Sequence, residues 1–349
     1  MPPLLAGRRV RAVWASLCVL LLAVAATACA SPPDSARPTT APSITIDAVG
    51  DISLAREVVA KMAANGAGYP FALVAPMLDG DVNIGNLEGP FTERGEPWAK
   101  GYNFRTPPQF APALNAGHID LVTLANNHIM DYGTTGLADT LDALRAADIQ
   151  YTGVLEDASA PIRPTVIRLN GMRVAMLGFV TTPDEVGGFT ISEWAPGADR
   201  PGVVIGTPAL VSDAVAAARR DADFVIVLEH AGDEYVSAPN ATQRELADAA
   251  LEAGADAYIG AHAHLPQPVE LRGHQLVAYG LGNFVFALDS DDLAGIPEPR
   301  VAPILKLTLT KGVGVTSFEI KAVALDENEH RPRPATEDEA AALAASMQG

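Results

Sequence analysis

Cysteine is almost missing from this chain. The 349 residues hold only Cys18 and Cys29. No disulfide, thiolate nucleophile or cysteine-ligated metal can therefore belong to anything that follows residue 29. Basic residues are also scarce. There are 24 Lys and Arg against 42 Asp and Glu, a formal net charge of −18. That balance argues against a nucleic-acid partner, which needs a basic face. Gly and Pro number 30 and 27 with no Gly-X-Y period, so a collagen-like chain is excluded. What is abundant is apolar material, at 48% of residues. That is enough to bury a core, which excludes wholesale disorder.

The first 28 residues read as an address. Arg8, Arg9 and Arg11 precede an apolar run from Ala12 to Ala28, the pattern of a secretory signal. Ala26-Thr27-Ala28-Cys29 resembles a bacterial lipobox, with Ala26 in place of the usual Leu. Residues 1–28 are thus expected to be a lipoprotein-type signal, with Cys29 lipidated as the first mature residue. Residues 29–43 carry four prolines and are expected to form an extended tether. The mature protein would then be exported and lipid-anchored to the outer face of the bacterial cell membrane.

Beyond the tether, apolar β-branched runs alternate with helical patterns. Strands are expected at Ile44–Val49, Leu121–Leu124, Val174–Val180, Phe224–Leu228, Ala257–Gly260 and Leu276–Tyr279. Helices are expected at Leu54–Asn65, Thr135–Ala147, Pro208–Arg220 and Thr242–Ala253. The alternation predicts a layered α/β fold. From Pro303 to Leu325 successive strands predict antiparallel pairing. Residues 44–325 read as one domain, and residues 326–349 as an acidic then Ala-rich tail with one exposed helix.

The informative residues follow the strands. Ile44–Val49 runs into Gly50-Asp51, and Asp81–Leu87 into Glu88. Leu121–Ala125 runs into Asn126-Asn127-His128, Phe224–Leu228 into Glu229-His230, and Ala257–Gly260 into His262-Ala263-His264. Ligands of open α/β sheets bind outside the carboxyl ends of strands. Asp, Glu, Asn and His are the oxygen and imidazole donors that Zn, Mn or Fe favours. Four of the seven histidines lie in this set. Any one strand end could be a turn or a satisfied core residue, but five such ends together predict a metal site. His262 and His264, two apart on an extended segment, are expected to point the same way.

These residues resemble the CapA capsule-synthesis family, which is associated with poly-γ-glutamate capsules and the calcineurin-like metallophosphoesterase superfamily. Further motifs carry the likeness: Phe104-Arg105-Thr-Pro-Pro108, Ala125-Asn-Asn-His128-x-x-Asp131-Tyr-Gly133, His230-Ala-Gly-Asp-Glu234-Tyr235 and Tyr279-Gly-Leu-Gly-Asn283-Phe284. The resemblance spans about Ile44 to Leu288. It implies a four-layer α/β/β/α sandwich with mixed sheets and one or two divalent metal ions (Mn, Zn or Fe) where the sheets meet. By that analogy Glu88 bridges two metals. Asn127, His230 and His262 hold one, Asp51 and His264 hold the other, and His128 acts as general acid. Arg105, Glu234 and Asn283 would contact substrate; for Arg105 an ordinary surface ion pair is the plainer alternative. The superfamily's first motif is Asp-x-His, whereas this chain has Asp51-Ile52-Ser53.

Three functions fit these residues. The first is a metal-dependent phosphoester hydrolase in capsule or surface-polymer biosynthesis. The second is a related enzyme acting on γ-glutamyl amides. The third is a non-catalytic module that anchors or exports an anionic polymer. The expected partners are that polymer or a phosphoester substrate, the membrane through the lipid, and a capsule-synthesis membrane complex.

Overall fold

The structure is a computed structural model that describes residues 41–185, 188–288, 294–297 and 300–348. The signal, Cys29 and most of the tether lie outside the described residues. Among the described residues no helix is long and apolar enough to cross a membrane.

In chain order the strands are β1 (Ser43–Ile52), β2 (Val82–Leu87), β3 (Leu121–Thr123), β4 (Gln150–Thr152) and β5 (Val154–Leu155). There follow β6 (Thr165–Leu169), β7 (Met172–Thr181), β8 (Gly202–Val203), β9 (Phe224–Ala231) and β10 (Ala257–His262). The last are β11 (Val269–Arg272), β12 (Gln275–Ala278), β13 (Asn283–Val285), β14 (Val301–Thr310), β15 (Gly314–Asp326) and β16 (Arg331–Pro334). One mixed sheet has the order β16-β15-β14-β1-β2-β3-β4, with β13 also paired to β1. A second has the order β11-β12-β10-β9-β7-β6, and β5 and β8 form a separate antiparallel pair. Strands β1 to β4 are mutually parallel, as are β7, β9, β10 and β12.

The alternation of apolar side chains stacks these sheets. Ile44, Ile46 and Ala48 of β1 share one buried cluster with Val174 and Met176 of β7, Ile226 of β9 and Leu305 and Leu307 of β14. The neighbours on β7 (Ala175, Leu177 and Phe179) point the other way, as a period of two requires. They pack under α4 (Pro208–Arg219) and α5 (Ala241–Glu252). On the far side of the first sheet lie α1 (Glu57–Asn65) and α3 (Gly133–Ala146), around Phe71, Phe91 and Trp194. The short α2 (Ala113–Ala116) packs there too. The layers run α/β/β/α.

Helix starts follow local chemistry. Thr207 accepts the Leu210 amide ahead of Pro208, and Asn240 and Gln243 form a reciprocal capping box. The tail differs from expectation. Its helix α6 (Glu337–Ser346) forms behind a Thr336–Glu339 capping box. It is not free of the domain, because Leu343 and Met347 are buried in the cluster between the sheets. One leucine in an Ala-rich stretch gives little periodic signal, yet it docks the helix. Strand β16 likewise extends the first sheet past residue 325.

Candidate metal centre

The carboxyl ends of the two parallel strand sets meet at one place. The His262 amide, at the end of β10, donates to Asp51 Oδ2 at 3.2 Å. Strand pairing sets Asp51 beside Asn86 on β2 and beside Asn283 on β13. Backbone contact there is close: a Cβ on Gly50 would lie 1.8 Å from Gly282 O. Only glycine lets Asp51 reach the Gly282 carbonyl with its amide, at 2.9 Å. The loop after β3 is shaped by Asn126, whose Oδ1 accepts the amides of His128 (3.0 Å) and Ile129 (2.8 Å). This side-chain turn splays Asn127 and His128 toward the site.

Two sets of donor atoms face each other. In one, His230 Nε2 lies 2.9 Å from Asn127 Oδ1 and 3.1 Å from His262 Nδ1. In the other, Asp51, Glu88 and His264 offer ligand atoms all within 4.8 Å of one another. His262 and His264 thus serve different sets, as the resemblance implies, and do not point the same way as an extended pair would. Both have left-handed backbone, with φ of 89° and 56°, so the extended-strand alternation does not hold there. Their rings are 6.1 Å apart. His264 Nδ1 lies 2.8 Å from Asn283 Oδ1 and its ring stacks on Tyr235. Ser53 is buried and uses its amide on Val285 O.

Glu88 decides whether a cation fits. It is 1% exposed, and neither carboxyl oxygen meets a hydrogen-bond donor among the described residues. Burial, followed by the charge of Asp51, drives its pKa well above the usual carboxylate range. Burial also raises that of Asp51. Burial pushes His230 and His262 well below the ordinary histidine value, so they are neutral lone-pair donors at pH 7. Unpartnered buried carboxyls are costly. A divalent cation supplies the charge that these groups lack, and the oxygen and imidazole donors suit it.

His128 stands at the edge of this centre. Its Nε2 is 4.0 Å from Glu88 Oε1, and its Nδ1 is 2.8 Å from Asp131 Oδ2. Phe104 stacks on the ring at 4.1 Å. Burial, then the nearby Lys100 charge, lowers the His128 pKa well below its ordinary value. Burial lifts Asp131 to about 7, with Lys100 opposing that shift.

Of the expected site residues, Asp51, Glu88, Asn127, His128, His230, His262, His264 and Asn283 come together here. Glu234 sits exposed at the rim, where its charge still raises the Glu88 pKa. Arg105 lies outside the cluster, exposed and with its guanidinium over the Tyr132 ring. Sequence reasoning missed Lys100 and Glu185. Lys100 is a fully buried cation that reaches Asn127 O, Asp131 and Glu185. Its signal was a lone lysine between Trp98 and Phe104, with no period to mark it.

Residues 45–288 match the family described as "Bacterial capsule synthesis protein PGA_cap". The chain belongs to that family. It is 31% identical over 296 residues to "PGA biosynthesis protein CapA" of Bacillus subtilis (strain 168), covering 83% of this chain and 73% of that one. It is 33% identical over 250 residues to "Capsule biosynthesis protein CapA" of Bacillus anthracis, covering 70% of this chain and 60% of that one. The chain thus spans less than two thirds of the second relative. Among solved structures, calcineurin-like phosphoesterase YfkN from Bacillus subtilis overlaps 80% of this chain and 90% of that one, with TM-score 0.46 and 17% identity.

Proposed function

We propose that this chain is a divalent-metal-dependent hydrolase of the bacterial cell envelope, acting on a phosphoester or related bond during capsule or surface-polymer synthesis. The observation that carries this reading is Glu88, a buried carboxyl without a donor among the described residues, whose ligand atom lies within 4.8 Å of those of Asp51 and His264. Asn127, His230 and His262 would hold one ion, and Asp51 and His264 a second, with Glu88 shared. The metal when bound supplies Lewis-acid polarisation of a phosphoryl or carbonyl oxygen and offsets developing negative charge.

The protein's own part is proton handling and exclusion of water. Neutral His128 donates its Nδ1–H to Asp131 Oδ2, which leaves Nε2 as the free nitrogen facing the centre. A proton held on that nitrogen can be handed to the leaving group. Asp131 shares the charge while the proton resides there. Phe104 shields the ring from solvent. A pure binding module has no need of this dyad, which favours the enzyme.

The names of the Bacillus relatives support a place in PGA or capsule biosynthesis, and the substrate in this reading is an anionic surface polymer or a phosphoester. The signal and Cys29 support a lipid anchor on the outer face of the membrane, beside a capsule-synthesis complex. A γ-glutamyl amide is the second substrate class, since a polarised carbonyl would suit the same centre. Activity of the metal-loaded protein on phosphoesters and γ-glutamyl peptides separates the two. Metal uptake with turnover of neither would turn the reading to an anchoring or export module.

A further inference from the structure

We infer that Glu185 is a positioning residue that selects which end of the Asn127 amide faces the metal. This rests on the metal reading above. A side-chain amide can sit two ways, exchanging its oxygen and its NH2 group. Here Asn127 Nδ2 donates to Glu185 Oε1 at 2.8 Å, while Asn127 Oδ1 faces His230 Nε2 at 2.9 Å. The reverse arrangement would set the amide oxygen against a carboxylate. It would also aim NH2, which has no lone pair for a metal, at the ligand cluster. The Glu185 carboxylate therefore excludes it.

Glu185 is itself fixed. Its amide donates to Phe189 O at 2.9 Å, and its carbonyl accepts the Gly188 amide at 3.1 Å. Lys100 Nζ lies 3.3 Å from Glu185 Oε1 and 3.1 Å from Asp131 Oδ1, and it also donates to Asn127 O. The Lys100 side chain is fully buried, with the Phe189 and Trp194 rings at 4.9 and 5.1 Å. One buried cation thereby ties the carboxylate that orients Asn127 to the carboxylate that orients His128. Groups that orient metal ligands in this way are worth about 10–100-fold in metal affinity.

The test is Mn2+ titration of the full mature domain, with the unfolding temperature of each metal-free variant checking the fold. Glu185 is partly exposed, so its variants should fold. Glu185→Ala should weaken Mn2+ binding by about 10-fold or more. Glu185→Gln keeps an oxygen acceptor and should stay within about 3-fold of the parent. Asn127→Asp presents oxygen whichever way it turns. It should weaken binding in the parent, where two carboxylates would meet, yet restore binding in the Glu185→Ala background. Failure to restore it would overturn orientation as the cause. Equal Mn2+ affinity in the parent and Glu185→Ala would overturn the role of Glu185 and leave the metal reading standing. A parent that binds no Mn2+ would overturn both.

Discussion

Asn127 Oδ1 and His230 Nε2 lie 2.9 Å apart although 103 residues separate them in the chain. One arrives on the loop after β3 of the first sheet, the other on β9 of the second. Neither is displaced toward solvent, and both are buried. The sandwich brings two carboxyl-end edges together, and the donors meet at that seam.

His128 should matter to turnover and not to metal. Its Nε2 stands 4.0 Å from Glu88, and no donor contact ties it to the His230 set. His128→Asn should lower turnover about 100-fold or more with bound metal unchanged, as loss of an acid–base group does. Activity that survives the change would remove His128 from the chemistry.

Glu88→Gln should separate metal binding from stability. Burial raises the folded pKa of Glu88. A carboxyl with a raised folded pKa costs stability once pH exceeds its unfolded value of about 4.3. The amide removes that cost. Metal-free Glu88→Gln should be more stable than the parent at neutral pH by about 1–3 kcal/mol, and should lose the gain in unfolding temperature on adding Mn2+. Denaturant melts with and without chelator check both halves. A metal-free variant less stable than the parent would contradict the orphaned-carboxyl description.

Stabilisation by metal should grow with pH. The unfolded chain protonates His230 and His262 below about pH 6.5, whereas burial keeps them neutral in the fold. Their lowered folded pKa means that stability is complete above that value and falls as pH drops below it. Glu88 and Asp51 must give up protons to bind a cation. The rise in unfolding temperature on adding Mn2+ should thus be small at about pH 5 and large at about pH 8. A rise independent of pH would count against these ligands.

Two substitutions test the frame around the centre. Gly50→Ala would push a Cβ to 1.8 Å from Gly282 O and should cost about 3 kcal/mol or more. Arg105→Ala, on an exposed side chain stacked over Tyr132, should change stability by less than about 0.5 kcal/mol and leave metal binding intact. Loss of metal in the Arg105 variant would mean that the residue reaches the centre after all.

Much of the centre was legible because parallel strands deliver polar residues from one edge. Asp51, Glu88, Asn127, His230 and His262 each follow an apolar run, and that pattern survives without knowledge of tertiary packing. What escaped has physical causes. A pair two residues apart, such as His262 and His264, reads as extended, but left-handed backbone at both residues breaks that alternation. Lys100 and Glu185 come from irregular segments with no period, and they matter only through partners distant in sequence. Arg105 sits in a recognisable motif, yet its side chain turns outward to an aromatic ring. The C-terminal helix showed one leucine, too little to reveal that Leu343 docks between the sheets.

Metal content by plasma mass spectrometry tests the central claim most directly. The mature domain, purified without chelator, should carry one or two equivalents of a divalent transition metal. The Asp51→Asn, Glu88→Gln and His262→Ala variants, confirmed as folded, should carry less. A folded parent that holds none, and takes up none from Mn2+ or Zn2+, would contradict the metal centre.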